Sequence, residues 1–220
     1  MKQIDFLKNN LIAHRGVYNL KIPENSILSF TKAIDKNYII ELDIHILSDD
    51  SIVVFHDYNL NRLLSVNKII ETLSYAQLSK YKLDKKYLIP TLEQVIHIVN
   101  GKVPLLIEVK CVDKNIKFME KLVELLDNYD GEFAIQSSNT FVIEWLNKNR
   151  KNYVIGLIVF NKINLNLINR YLKKIDFLTA SKKILPLKSK KMVLGWTIRT
   201  KEELEKYRDK CDNLICENIL

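Results

Sequence analysis

A chain of 220 residues, 47% hydrophobic and 27% charged, has enough apolar material for a buried core, which excludes a disordered chain. Apolar runs such as Val103–Ile107 are strand-sized and far short of the roughly 18–20 residues of a membrane-spanning helix. The net charge of +8 favours anionic partners, but the lysines are scattered and their densest cluster, Lys182–Lys191, has no interleaved aromatics, which argues against a nucleic-acid partner.

The N-terminus, MKQIDFLKNN, has neither an apolar stretch nor a small-residue cleavage site, so a cytoplasmic location is expected. Cys111, Cys211 and Cys216 are an odd number in a long chain and are expected to be reduced thiols.

In chain order, apolar strand-like runs alternate with helical periodicity. Asn10–His14 reads as the first strand and ends in His14-Arg15-Gly16. A helix is expected over Glu24–Asn37, with Asn25 or Ser26 as its cap and Glu24 placed to brace Arg15. Tyr38–Ile44 is the second strand. Glu41 and Asp43 are two apart in it, so they share a face. Two buried carboxylates side by side repel unless a cation lies between them, and such oxygen donors suit Mg²⁺ or Ca²⁺. An extra run, Ser51–His56, again delivers a histidine, His56, at a strand tip. Two such histidines suit an acid/base pair, because imidazole titrates near neutral pH.

A helix over Thr91–Asn100 leads to the strand Pro104–Lys110, where Glu108 and Lys110 share a face. Glu108 would complete a three-carboxylate site with Glu41 and Asp43. Lys110 would add positive charge for a phosphoryl oxygen. Helices at Asp113–Tyr129, Asn139–Asn149, Asn164–Lys173 and Lys201–Lys210, and a weaker one at Lys182–Lys190 interrupted by Pro186, separate the strands Glu132–Ser137, Tyr153–Phe160, Ile175–Ala180, Met192–Ile198 and Asn213–Glu217. Trp196 sits near the end of the seventh strand, where it would wall a pocket or pack in the core.

Eight βα units in one domain spanning residues 1–220 predict a closed TIM (β/α)8 barrel with a small insertion after the second strand. An open doubly wound sheet is the alternative. It lacks support because no Gly-rich phosphate loop follows the first strand. In α/β barrels the active site lies at the C-terminal ends of the strands, where these ionisable residues collect.

LIAHRG, PENS, ELDIHILSDD, VVFHD, IPTLEQV and LLIEVK, in this order across Leu11–Lys110, resemble the glycerophosphodiester phosphodiesterase family. FAIQSS and GWTI match more loosely. The last strand, NLICEN, departs from the family's Asp-Pro ending, and Asp50 stands where a turn glycine is common. The resemblance implies hydrolysis of a small glycerophosphodiester to sn-glycerol 3-phosphate and an alcohol. It implies one divalent cation (Mg²⁺ or Ca²⁺, with Mn²⁺ also suited) on Glu41, Asp43 and Glu108. His14 and His56 would be the acid/base pair, and Arg15 and Lys110 would contact phosphate. The alternatives are the same chemistry on a lysophospholipid through peripheral membrane contact, or a non-catalytic phosphodiester-binding barrel. Oligomeric state is not legible.

Overall fold

The computed structural model describes residues 2–161 and 165–219, with backbone alone for 165–167. A 3₁₀ turn, Asp5–Lys8, precedes β1 (Ile12–His14), α1 (Ile27–Asp35), β2 (Ile39–Ile46) and β3 (Ile52–Val54). Short elements follow: α2 (Asn61–Leu64), α3 (Tyr75–Leu78) and the hairpin β4 (Lys82–Leu83) and β5 (Tyr87–Leu88). Next come α4 (Leu92–Val99), β6 (Leu105–Val109), α5 (Ile116–Leu126), β7 (Phe133–Ser137) and α6 (Thr140–Asn149). The chain ends with β8 (Val154–Val159), α7 (Leu165–Tyr171), β9 (Phe177–Ser181), β10 (Met192–Ile198), α8 (Lys201–Tyr207) and β11 (Asn213–Cys216).

Eight parallel strands form a ring in the order β1, β2, β6, β7, β8, β9, β10, β11. It closes where β11 pairs with β1, with Ile12 opposite Ile215. This is a TIM barrel. β3 lies outside the ring, antiparallel to the upper end of β2.

Strand parity sorts the side chains. Ile40, Leu42, Ile44 and Ile46 of β2 pack outward beneath the helices. Ile12, Ile39, Leu106, Ala134, Val154, Phe177 and Leu194 converge in the barrel interior, and Phe6 and Leu7 of the N-terminal turn join them. This apolar layer is the floor. Burying each of its larger side chains contributes about 1.5–3 kcal/mol. Phe177 fills so much of the interior that a Cβ on Gly156 would lie 2.2 Å from its ring, so glycine is required there.

Moving two residues toward the C-terminal end replaces this floor with polar groups on five strands, His14, Glu41, Glu108, Gln136 and Thr179, while β8 and β10 place Gly156 and Trp196 there. The register holds them level. His14 is opposite Glu41, Asp43 is opposite Glu108, and Glu108 is opposite Gln136.

The expected helices are present but shorter. α1 starts at Ile27 because Ser26, not Asn25, is its N-cap, accepting from Ser29 N. α5 starts at Ile116 because Asn115 caps it. Lys182–Lys190 is not a helix beyond the 3₁₀ turn Lys182–Ile184; Pro186 has no N–H to extend it. Of the helix expected at Asn164–Lys173, Leu165–Tyr171 is present, and Asn164 lies outside the described residues. Residues 57–90 form the small insertion, with its own core of Leu60, Ile70, Leu73, Leu78 and Leu83 against Val53 and Phe55 of the barrel side. Its elements are only two to four residues long, too short for periodicity to register. All three cysteines are free thiols.

Candidate active site

The two tight turns after β1 and before α1 interlock. Arg15 (φ 58°) and Asn25 (φ 51°) both adopt the left-handed region, and Asn25 N donates to Arg15 O at 3.0 Å. Such a residue costs on the order of 1–3 kcal/mol unless its surroundings hold it. Here they place two side chains. Arg15 Nη1 donates to Glu24 at 2.6 Å while its Nε lies 3.4 Å from Asp43, and Asn25 Nδ2 donates to Asp43 at 2.9 Å. Gly16 (φ 81°) follows, where a Cβ would meet Ser29 of α1 at 2.6 Å. The expected bracing of Arg15 by Glu24 is therefore present.

Oxygen atoms of Glu41, Asp43 and Glu108 lie within 4.8 Å of one another. Lys110 sits among them, 3.0 Å from Asp43 Oδ1 and 2.5 Å from Glu108 Oε1. Burial, then the charges of Asp43 and Glu108, push Glu41 well above the usual carboxylate range. Burial likewise raises Glu108 to about 7, against the pull of Lys110. Burial acts on Asp43 in the same direction, but Lys110, His56 and Arg15 overcome it and hold this carboxyl far below its ordinary value. Three carboxylates buried this close together repel one another, and burial with that repulsion disfavours the ionised forms of Glu41 and Glu108. A divalent cation on these oxygens would offset both, so the donor set fits a hard metal ion.

Both strand-tip histidines face the same cavity as Glu41, Glu108 and Lys110. His14 Nδ1 is 2.6 Å from Glu217 Oε2. Burial lowers its pKa, partly offset by the Glu217 hydrogen bond. Tyr18 and Arg199 also bond Glu217. Burial pushes the Glu217 carboxyl up, but the hydrogen bond to His14 and its other partners bring it down to about 2. His56 Nδ1 is 2.6 Å from Asp57 Oδ1, and burial lowers its pKa too. In each pair the Nδ1–H donates to a carboxylate, which leaves Nε2 for a ligand.

The cavity is about 350 Å³. Arg15, Lys110 and Trp196 line it with the histidines, as do Ile158, Phe160 and Thr197. Phe160 meets Trp196 edge-on with ring centroids 5.4 Å apart, and the buried Trp196 indole N–H has no acceptor among the described residues. The structure thus brings together all eight residues singled out from the sequence: His14, Arg15, Glu41, Asp43, His56, Glu108, Lys110 and Trp196.

Sequence reading passed over Glu217, Gln136, Thr179, Phe160, Arg199, Asp57 and Arg62. Gln136 joins Thr179 (2.7 Å) to Glu41 (3.5 Å) across the barrel. A usable signal existed for Glu217: it keeps the parity of inward-facing Ile215 at the tip of an apolar strand. His45, in contrast, is fully buried behind the site. Its Nδ1 is 3.1 Å from Glu71, and its Nε2 is 3.3 Å from the His56 carbonyl.

Residues 14–204 match the model of the glycerophosphoryl diester phosphodiesterase family. The chain belongs to this family. Human lysophospholipase D GDPD1 is 34% identical over 135 residues, 55% of this chain and 42% of that protein. The glycerophosphodiester phosphodiesterase of Caldanaerobacter subterraneus subsp. tengcongensis is 29% identical over 165 residues, 69% of this chain and 67% of that one. The chain spans about half the length of several curated relatives that it matches. In fold it is similar to an Oleispira antarctica phosphodiesterase solved in complex with the product sn-glycerol-3-phosphate. The TM-score is 0.84, with 22% identity over 94% of this chain and 92% of that one.

Proposed function

We propose that this barrel, as one catalytic domain over residues 1–220 in the cytoplasm, hydrolyses glycerophosphodiesters to sn-glycerol 3-phosphate and an alcohol. One observation carries the reading. A single cavity is lined by Arg15, Lys110, two histidines with Nε2 free, and Glu41 and Glu108 of a carboxylate cluster that Asp43 completes. That set answers the requirements of a phosphodiester, whose negative charge repels nucleophiles.

Glu41, Asp43 and Glu108 would hold one divalent cation, Mg²⁺ or Ca²⁺, with Mn²⁺ also suited. When bound, it offsets charge on a non-bridging oxygen and polarises phosphorus. Arg15 keeps Nη2 for a second phosphate oxygen, since Nη1 is committed to Glu24. Lys110 supplies a point charge beside it. His14 and His56, whose imidazoles burial shifts toward the neutral form, divide the proton work. One takes a proton from the nucleophile, either the glycerol 2-hydroxyl or a water. The other delivers one to the leaving alkoxide, and the roles exchange if a second step follows. Each transfer is typically worth about 10²–10⁴ in rate. Trp196 and Phe160 wall the organic part of the substrate.

The test is activity on glycerophosphocholine with and without EDTA, beside a lysophospholipid. Turnover that EDTA abolishes and a divalent ion restores is the expected result. No turnover of either substrate with Mg²⁺, Ca²⁺ or Mn²⁺ overturns the reading.

A second reading has its own observation. Leu20, fully exposed, Val112 and Phe160 stand on the loops after β1, β6 and β8, at the end of the barrel where the cavity opens. They favour peripheral contact with an apolar surface, and so a lysophospholipid substrate. Hydrolysis of the lysophospholipid in preference to glycerophosphocholine would decide for it.

A further inference from the structure

Arg62 lies on α2 of the insertion, outside the barrel. It is 45% exposed, yet its guanidinium is bound on two sides. Toward the insertion, Nε donates to Asp57 Oδ2 at 2.6 Å, and Nη2 to Asp57 Oδ1 at 3.2 Å. Toward the barrel, Nη1 donates to Glu24 Oε2 at 2.9 Å, and Nη2 to Glu24 Oε1 at 2.7 Å. Glu24 is nearly buried and also receives Arg15. Asp57 is the carboxylate that holds His56 Nδ1. An unbroken chain of charge-assisted contacts therefore runs His56–Asp57–Arg62–Glu24–Arg15.

The geometry points to Arg62 as a positioning residue that acts through Asp57 on the His56 imidazole. Asp57 is on a loop of the insertion and is one residue from His56, so sequence proximity alone does not orient its carboxylate. The bidentate fork of Arg62 fixes both Asp57 oxygens, and Glu24 anchors that fork to the barrel. Oriented in this way, Asp57 accepts from Nδ1–H and leaves the His56 Nε2 lone pair facing the cavity. The His45–Glu71 pair completes the restraint from the other side by engaging the His56 backbone carbonyl. A lysine at position 62 would carry the charge but could not bridge two carboxylates with fixed spacing. Arg15 depends on this chain much less, because Asp43 also holds it.

The inference rests on the acid/base role proposed for His56, and two readouts separate its fate from that of the function. The first is a double-mutant cycle on metal-loaded protein with glycerophosphocholine. Arg62→Met should lower kcat/KM about 10–30-fold when His56 is present, and less than about twofold in a His56→Ala background. Asp57→Asn should reproduce the first loss, and Arg62→Lys should recover only part of it. An equal cost of Arg62→Met in both backgrounds, or none in either, overturns the inference.

The second readout is the ¹⁵N imidazole signature of His56, which needs neither activity nor metal. The wild type should be the Nδ1–H tautomer, and Arg62→Met a mixture of tautomers. An unchanged tautomer in Arg62→Met also overturns it. If the wild type turns over no diester at all, the proposed function fails, while the tautomer still decides whether Arg62 orients His56.

Discussion

The wall of the barrel from β1 through β6 and the wall from β7 through β10 face one cavity with opposite compositions. The first presents His14, Arg15, Glu41, Glu108 and Lys110 with the buried Asp43 beside them, and ion pairs join Arg15 and Lys110 to Asp43 and Lys110 to Glu108. The second presents Gln136, Ile158, Phe160, Thr179 and Trp196, none of them charged; Arg199, just past β10, also lines the cavity and is paired with Glu217. The same fold, with the same inward parity, builds both. Chemistry is concentrated on one wall because charges stabilise one another only at contact distance, and a developing phosphoryl charge needs them together. The other wall supplies shape. The comparison teaches that loss on the first wall should appear in kcat, and loss on the second in KM.

The largest effect that would break this division is at Glu41. Glu41→Gln removes a proposed metal oxygen while leaving volume and the Gln136 contact nearly intact. Steady-state assays on glycerophosphocholine should give a kcat reduced at least about 10³-fold, comparable to losing a principal electrostatic group. Near-normal kcat in this variant would remove Glu41 from the metal site. The same variant should also lose most of the rise in Tm that a divalent ion produces.

Next is Glu217, which belongs by position to the closing strand β11 yet serves the charged wall. Glu217→Gln should lower kcat about 10²–10³-fold, because His14 loses the carboxylate that orients it. A sharper readout is pH. The Glu217 carboxyl falls from an ordinary value of 4.5 to about 2 in the folded protein. A carboxyl depressed by folding contributes stability above its unfolded pKa, and that contribution is lost as pH falls toward the folded value. The wild type should therefore lose stability relative to Glu217→Gln between about pH 4.5 and 2, and the two should run parallel at higher pH. Parallel curves across the acid range as well would show that Glu217 is not held ionised by His14.

The charged wall was also the part legible in the sequence. Glu41/Asp43 and Glu108/Lys110 are pairs two apart on single strands, so parity alone places each pair on one face. Eight apolar runs in alternation with helices were enough to specify the barrel, because each run is buried on both faces. For Glu217 the sequence offers only its parity with Ile215; the pairing with His14, 203 positions away, was not legible. Nor was the Arg62–Glu24 contact, which crosses 38 positions from an insertion whose elements are too short for periodicity. Gln136 and Thr179 are ordinary polar residues until the ring closes and faces them toward Glu41. What the sequence hides is the pairing that only closure of the ring creates.

The smallest effect concerns the uncharged wall. Trp196 and Phe160 pack edge-on, and the indole N–H finds no acceptor among the described residues. Trp196→Ala would remove apolar contact and that donor together, while the carboxylates and histidines keep every partner they have. KM should rise about tenfold, the loss of roughly 1.4 kcal/mol of substrate binding, with kcat within about twofold of the wild type. Phe160→Ala should follow in the same direction by about threefold, since half of its surface already meets solvent. If instead kcat falls and KM stays level, Trp196 acts in the transition state, and the two walls share the chemistry. A KM effect confined to a lysophospholipid, with glycerophosphocholine unchanged, would make this wall a site for the acyl chain.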